Sequence, residues 1–200
     1  MKTMQQTLIS AVLTIGLAMG SAFAATSNWE IDAYHSTVGF KVKHMMVSTV
    51  SGTFQKFSGT IQADEADLTK SKVNVTIDIN SVNTGVAPRD EHLRGPDFFD
   101  AAKFPTMTFV SKSVKVLAKD KLQVTGDLTM HGVTKSVVLD VDGPTDAIKD
   151  PKGNIKRGAI ATTKINRKDF GLAYNAVLEA GGVAIGEEVS IILELELNKK

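Results

Sequence analysis

The chain contains no cysteine. No disulfide can staple it, no thiolate can attack a substrate or bind zinc, and no acylated cysteine can anchor it as a lipoprotein. Its core must be held by apolar burial. Tryptophan occurs once, tyrosine twice and proline five times in 200 residues. Charge of one sign is missing as well, with 23 lysines and arginines against 22 aspartates and glutamates. Binding to a phosphate backbone draws on a basic excess or stripe, so nucleic acid is excluded as a partner. Helical periodicity is scarce, and no long apolar run follows the first two dozen residues.

Those first residues have their own logic. Lys2 precedes an apolar run from Leu8 to Ala18, and Ser21-Ala22-Phe23-Ala24 supplies small residues in an Ala-x-Ala pattern. A charged start, a core too short to span a bilayer and a small-residue site describe a secretory signal peptide. Residues 1–24 are therefore expected to be removed after Ala24, leaving 25–200 as one soluble domain without an integral membrane segment. Lys2 is the only charge lost, so the two signs then balance.

From Trp29 onward the dominant signal is period two, the mark of strands with one buried face. Val38, Phe40 and Val42 alternate with Gly39, Lys41 and Lys43. The pattern returns at Val73, Val75, Ile77 and Ile79, at Leu122, Val124, Gly126, Leu128 and Met130, and at Val137, Leu139 and Val141. Ile191, Leu193, Leu195 and Leu197 carry the last strand. Turn chemistry separates these runs at Lys119-Asp120-Lys121, His131-Gly132, Asp142-Gly143-Pro144 and Asp150 to Asn154. Only Pro88–Leu93 and Ala173–Ala180 offer a turn or two of helix. The chain thus reads as a single all-β antiparallel domain of about eight strands, sandwich or barrel. Inward Gly126, Ala159, Ala161 and Thr163 are small, and alternation alone leaves open whether larger neighbours fill that volume or a pocket remains.

Catalytic patterns are lacking. His35, His44, His92 and His131 form neither HxH nor HExxH, which speaks against zinc, and there is no GxSxG elbow. His44 ends an alternating strand and is expected to face inward as a hydrogen-bonded core residue. Gly181 and Gly186 have the spacing of a phosphate loop, but Glu187 and Glu188 replace its lysine and hydroxyl, so the run reads as an entry to the final strand.

One segment fits neither strand nor ordinary loop. Arg89-Asp-Glu-His-Leu-Arg94 crowds opposite charges into one turn, and Phe98, Phe99, Phe104 and Phe109 follow closely. Arg94 stands four residues after Asp90, the spacing of a helical ion pair. Two readings stand. Either the charges close a cap on themselves, or Arg89, His92 and Arg94 meet a polar head group at a pocket mouth while the phenylalanines line the space behind. Arg167, beside Asp169 at a strand end, poses the same choice.

Five motifs follow in order along the chain: His35-Ser36 through Val38, Phe40, Val42 and His44; Gly52, Phe54, Phe57 and Gly59; Arg89 through Phe109; Gly126 through Lys135 around His131-Gly132; and Ile165-Asn166-Arg167-x-Asp169-Phe170-Gly171. Together they resemble the YceI-like family of exported, lipocalin-like bacterial proteins. The resemblance spans essentially all of the chain beyond residue 24. It implies an extended eight-stranded antiparallel barrel with a short helical cap and a periplasmic location. It also implies an elongated interior that binds a polyisoprenoid, an isoprenoid quinone or a fatty-acid-like amphiphile, with no cofactor and no catalysis. On inward alternation and these motifs the expected lining is Val38, Phe40, Val42, Phe54, Phe57, Ile77, Ile79, Phe98, Phe99, Phe109, Leu128, Met130, Ile191 and Leu193. Arg89, His92, Arg94 and Arg167 are the candidate head-group contacts. The alternative is a non-enzymatic structural or stress-response protein with a packed barrel. Pairing of two barrels into a homodimer is left open.

Overall fold

The structure, a computed structural model, describes residues 26–177 and 181–200, so the expected signal peptide lies outside the described residues. Twelve strands and one helix follow in order: β1 (Thr26–Ile31), β2 (Thr37–His44), β3 (Ser48–Phe54), β4 (Phe57–Asp64), β5 (Lys72–Asp78), β6 (Val82–Asn83), α1 (Ala87–Arg94), β7 (Thr106–Ala118), β8 (Lys121–Met130), β9 (Val133–Asp142), β10 (Ile148–Lys149), β11 (Ile155–Asn166) and β12 (Ile185–Lys199). All pairings between them are antiparallel.

The sheet closes on itself. β2 pairs with β3 and β1 with β4, so β1–β2 and β3–β4 are the two arms of one long interrupted hairpin. From its second arm the ring runs through β5, β7, β8, β9 and β11 to β12, which bonds back to both β2 and β1. With each arm counted as one strand, this is a closed eight-stranded antiparallel barrel. Closure removes the long edges that an open sheet would expose.

Alternation decides which side chains go inside. In β8, Leu122, Val124, Gly126, Leu128 and Met130 are buried, while their neighbours are partly or fully exposed. Inward glycines make room for rings: a methyl group on Gly126 would stand 2.4 Å from the Phe109 ring and 2.6 Å from the Val110 carbonyl. Gly52 receives the Phe40 ring in the same way. The volume left by these glycines is therefore filled, whereas that left by the small side chains of β11 stays open.

Three sequence expectations change. Ile79 does not continue the fifth strand: Asp78 accepts a hydrogen bond from the Asn80 amide and starts a 3-10 turn over Ile79–Ser81. Residues 173–177 form no helix. Val177 instead bridges Val183 in antiparallel fashion, and 178–180 lie outside the described residues. The Arg89–Phe109 stretch is not one unit. Its start is α1, with Pro88 in the first turn, and Thr106 already opens the thirteen-residue strand β7.

That stretch completes the wall where the sheet thins. β3 reaches β6 through only two residue pairs, and α1 packs against β6. Asp90, buried in the first turn of α1, accepts hydrogen bonds from the Thr84 amide (2.8 Å) and hydroxyl (2.5 Å), tying helix to strand end. At the opposite end Trp29 packs with Ala63 and Leu197, and Arg157 lies over its ring at 4.8 Å. Arg157 also binds Glu65. Burial pushes the Glu65 carboxyl upward, but the Ser27 hydroxyl and Arg157 outweigh it and hold it below its ordinary value.

Candidate functional site

The barrel encloses a cavity of about 540 Å³, within the range of small-molecule pockets. Its walls come from every strand of the ring and from α1. Val38, Phe40, Val42, Phe54, Ile77, Phe109, Leu128, Met130, Ile191 and Leu193 line it, joined by Phe98 and Phe99 from the segment after α1. Ala159, Ala161 and Thr163 of β11 face it too, and their small side chains keep it open. A uniformly packed barrel does not describe this interior.

Two expected lining residues lie elsewhere. Ile79 is 1% exposed and is buried in the core cluster without lining the cavity, because the 3-10 turn takes it off the strand face. Phe57, opposite Ile77 at the start of β4, packs against that core without reaching the cavity.

The lining has a polarity along its length. At one end stand Ile31, Ile61, Ala63, Leu68 and Leu197, beside the Trp29 cluster. At the other end stand Lys43, His44, Arg89, His92, Arg167 and Tyr174. Not one carboxylate faces the cavity among the described residues. Cationic and imidazole donors thus gather at one rim, and the rest of the wall is almost wholly apolar.

Each rim donor has its own commitments. Arg89 donates from Nε to the Thr84 hydroxyl (2.7 Å) and from one terminal nitrogen to the Thr84 carbonyl (3.0 Å). The His92 ring nitrogen Nε2 lies 2.9 Å from Asp97, and its ring meets Phe98 and Tyr174 edge-on at 4.9 and 5.1 Å. Arg94 is not part of the lining. It pairs with Glu91 at 2.9 Å rather than with Asp90, whose carboxylate is turned inward to Thr84. Arg167 is only 4% exposed and donates to the carbonyls of Gly186 (2.9 Å), Ile185 (3.3 Å) and Leu172. Burial pushes its guanidinium below its ordinary pKa, and the nearby Glu187 charge opposes that shift. Arg167 therefore clamps Leu172 to the start of β12 at Ile185 and Gly186. His44, expected inside, is exposed at the end of β2, where it opposes Ile185 and borders the rim.

One cluster elsewhere has ligand-like geometry. Asp32, His35 and Glu196 place three ligand atoms within 4.8 Å of one another. The Lys156 ammonium already lies among them, 3.3 Å from Asp32 and 2.5 Å from Glu196, so the group is an ion-pair network joining β11, β12 and the β1–β2 bend. The hydrogen bond with His35 is the largest influence on Asp32 and, with Asn198 and Lys156, holds its carboxyl well below the usual range despite burial.

Residues 29–197 match the model of the YceI-like domain. The chain belongs to the YceI-like family. Protein YceI of Salmonella newport (strain SL254) is 41% identical over 192 residues, covering 95% of this chain and 93% of that protein. The Campylobacter jejuni YCEI protein has the same fold at 37% identity and TM-score 0.68, over 84% of this chain and 96% of that one. Burkholderia cenocepacia BcnA superposes with TM-score 0.71 at 26% identity, over 83% and 98%. A polyisoprenoid binding domain from Saccharophagus degradans, at 21% identity and TM-score 0.59 over 86% and 98%, shares the fold. Family motifs fall on both wall and clamp: Phe40 and Phe54 on the cavity, Arg167 under the rim segment. Alternation missed rim residues Lys43 and Tyr174. Lys43 sits at a strand position that alternation assigns outward, and Tyr174 lies in a non-repetitive loop.

Proposed function

We propose that residues 25–200 form a periplasmic binding protein, released from the 1–24 signal peptide, that sequesters a polyisoprenoid or similarly long amphiphile and catalyses nothing. The observation that carries this reading is the lining itself: an apolar cavity along the barrel with nitrogen donors at one rim and no facing carboxylate. Each buried CH₂ contributes about 0.8 kcal/mol, so a long tail would supply most of the affinity, while the rim selects the head group. A quinone carbonyl, a prenyl phosphate or a carboxylate suits such a rim. Lys43 and His44, together with the uncommitted nitrogens of Arg89, are its accessible donors; Arg167 is occupied by backbone carbonyls. Among the described residues the cavity offers no paired carboxylates and no base aligned on a nucleophile, the arrangements that acid–base and covalent catalysis rest on. The shared fold with a polyisoprenoid binding domain is consistent with this assignment but contributes architecture alone.

The test is direct titration. Delipidated protein spanning 25–200 is mixed with a polyprenyl phosphate, an isoprenoid quinone and a long-chain fatty acid, and binding is followed by calorimetry. Saturable one-to-one binding of at least one long-tailed compound, and none of its short-tailed analogue, is expected. Failure of every long-tailed compound to saturate would overturn the proposal.

A further inference from the structure

Beyond the cavity rim the chain exposes apolar side chains at the β2–β3 turn and at Val177 beside it. The β2–β3 turn carries Met45, Met46 and Val47, and Met46 and Val47 are 70% and 84% exposed. Next to it stands Val177, at 88%. The turn is joined to the residues flanking Val177: the Met45 amide donates to the Ala184 carbonyl (2.7 Å), the Ala184 amide donates to the Ala176 carbonyl (2.9 Å), and Gly182 lies against the Met46 sulfur.

The turn residues are unusual for their backbone. Met45 and Met46 both have positive φ, 50° and 62°, and the Val47 amide closes the turn on the His44 carbonyl at 3.1 Å. A turn with positive φ at both central residues favours Asn-Gly or Asp-Gly, because a Cβ in the left-handed region is strained. Here it carries two long flexible apolar side chains instead, and the folded domain buries neither. Charge supports the same direction. Lys41 and Lys43 lie just behind the tip, without a carboxylate partner among the described residues, while the nearby Glu187 and Glu188 are matched by Lys168 (2.5 Å) and Lys164 (2.8 Å). The apolar surface is also continuous with the cavity, since the neighbouring His44, Ala176, Ala184 and Ile185 form its rim.

We infer that the β2–β3 turn and Val177 form a docking surface for a bilayer carrying anionic headgroups: Met45, Met46, Val47 and Val177 enter the interfacial region while Lys41 and Lys43 meet the headgroups. Amphipathic surfaces that combine apolar insertion with basic residues bind membranes in this way. The surface gains its purpose from the carrier reading, because it would bring the cavity rim to the bilayer where a long-tailed lipid is exchanged.

The experiment is flotation of the 25–200 protein with vesicles of phosphatidylcholine alone and of phosphatidylcholine with one-third phosphatidylglycerol. Recovery with the anionic vesicles is expected to fall about tenfold or more in a Met46→Ser/Val47→Ser variant and to drop with added salt. A Met46→Trp reporter should shift its emission to the blue on those vesicles. Leu117→Trp, exposed near the β7–β8 turn, should not shift. Unchanged flotation of the serine variant, equal shifts of both reporters, or no flotation of the parent would overturn the inference. Lipid co-purifying with the protein separates the two claims. Flotation by a protein that never carries lipid defeats the carrier reading alone, and a lipid-loaded protein that never floats defeats this one alone.

Discussion

Filling the cavity from one wall position tests whether its volume belongs to a ligand. Ala161 lies on β11 between Val141 of β9 and Leu193 of β12, is 4% exposed, and faces the cavity. Ala161→Phe projects a ring into that space. The six added ring carbons displace about as many tail carbons, at about 0.8 kcal/mol each, so affinity should fall by about 5 kcal/mol, more than a thousandfold. The empty barrel should not suffer equally, because burying a phenyl ring contributes about 1.5–3 kcal/mol against limited strain in an open cavity. Ile160→Phe, one residue away on the outer face, is the matched control. Lipid per protein is quantified by mass spectrometry, and delipidated samples are compared by thermal unfolding. The expected pattern is lost lipid and near-parental stability for Ala161→Phe, with full lipid for Ile160→Phe. Full lipid retained by Ala161→Phe would refute the assignment of this volume.

Three further outcomes follow from the same geometry. Arg167→Met leaves the Leu172, Ile185 and Gly186 carbonyls without their donor and should lower stability by about 3 kcal/mol in urea unfolding, given about 1.5–3 kcal/mol per charged hydrogen bond and partial resolvation. A loss under about 1 kcal/mol would show that Arg167 is not the clamp. Asp32 has a folded pKa held below its unfolded value of about 3.9, so its contribution is present above that value and is lost as pH falls through the folded pKa. Asp32→Asn should therefore be less stable than the parent at pH 7, and the difference should shrink on acidification below about pH 4; an unchanged difference at pH 2 contradicts this. Gly126→Ala drives a methyl group into the Phe109 ring and the Val110 carbonyl, and should cost about 1–3 kcal/mol by thermal unfolding.

Much of the barrel was legible because one face of each strand is buried. β8 shows its alternation without interruption, and β12 shows it over Leu193, Leu195 and Leu197, beyond the Ile191-Ile192 pair and the register shift between Ile185 and Val189; both appear where the pattern places them. β7 was hidden. Met107 and Phe109 are buried on one parity and Val114 on the other, because a bulge between Ser111 and Ser113 adds a residue and shifts the face. Ile79 misled for a related reason: a hydrophobic residue at the right spacing was taken off the strand by the Asp78 cap, a side-chain competition that periodicity does not register. The rim was the least legible. Arg167 is charged and lies next to a turn, yet it is buried on three carbonyls supplied by residues five to nineteen positions away, contacts that only the closed barrel creates. In α1, Asp90 prefers the Thr84 amide and hydroxyl to Arg94, because a buried carboxylate needs donors within the wall while Arg94 can pair with Glu91 near solvent.

The central claim is that the cavity is occupied by one long-tailed lipid in the functional protein. Native mass spectrometry of the protein purified from its own host, without detergent, tests it most directly. The account predicts a species heavier than the polypeptide by one discrete lipid mass, removable by organic solvent and absent from Ala161→Phe. A homogeneous population at the bare polypeptide mass, with nothing extractable, would contradict it.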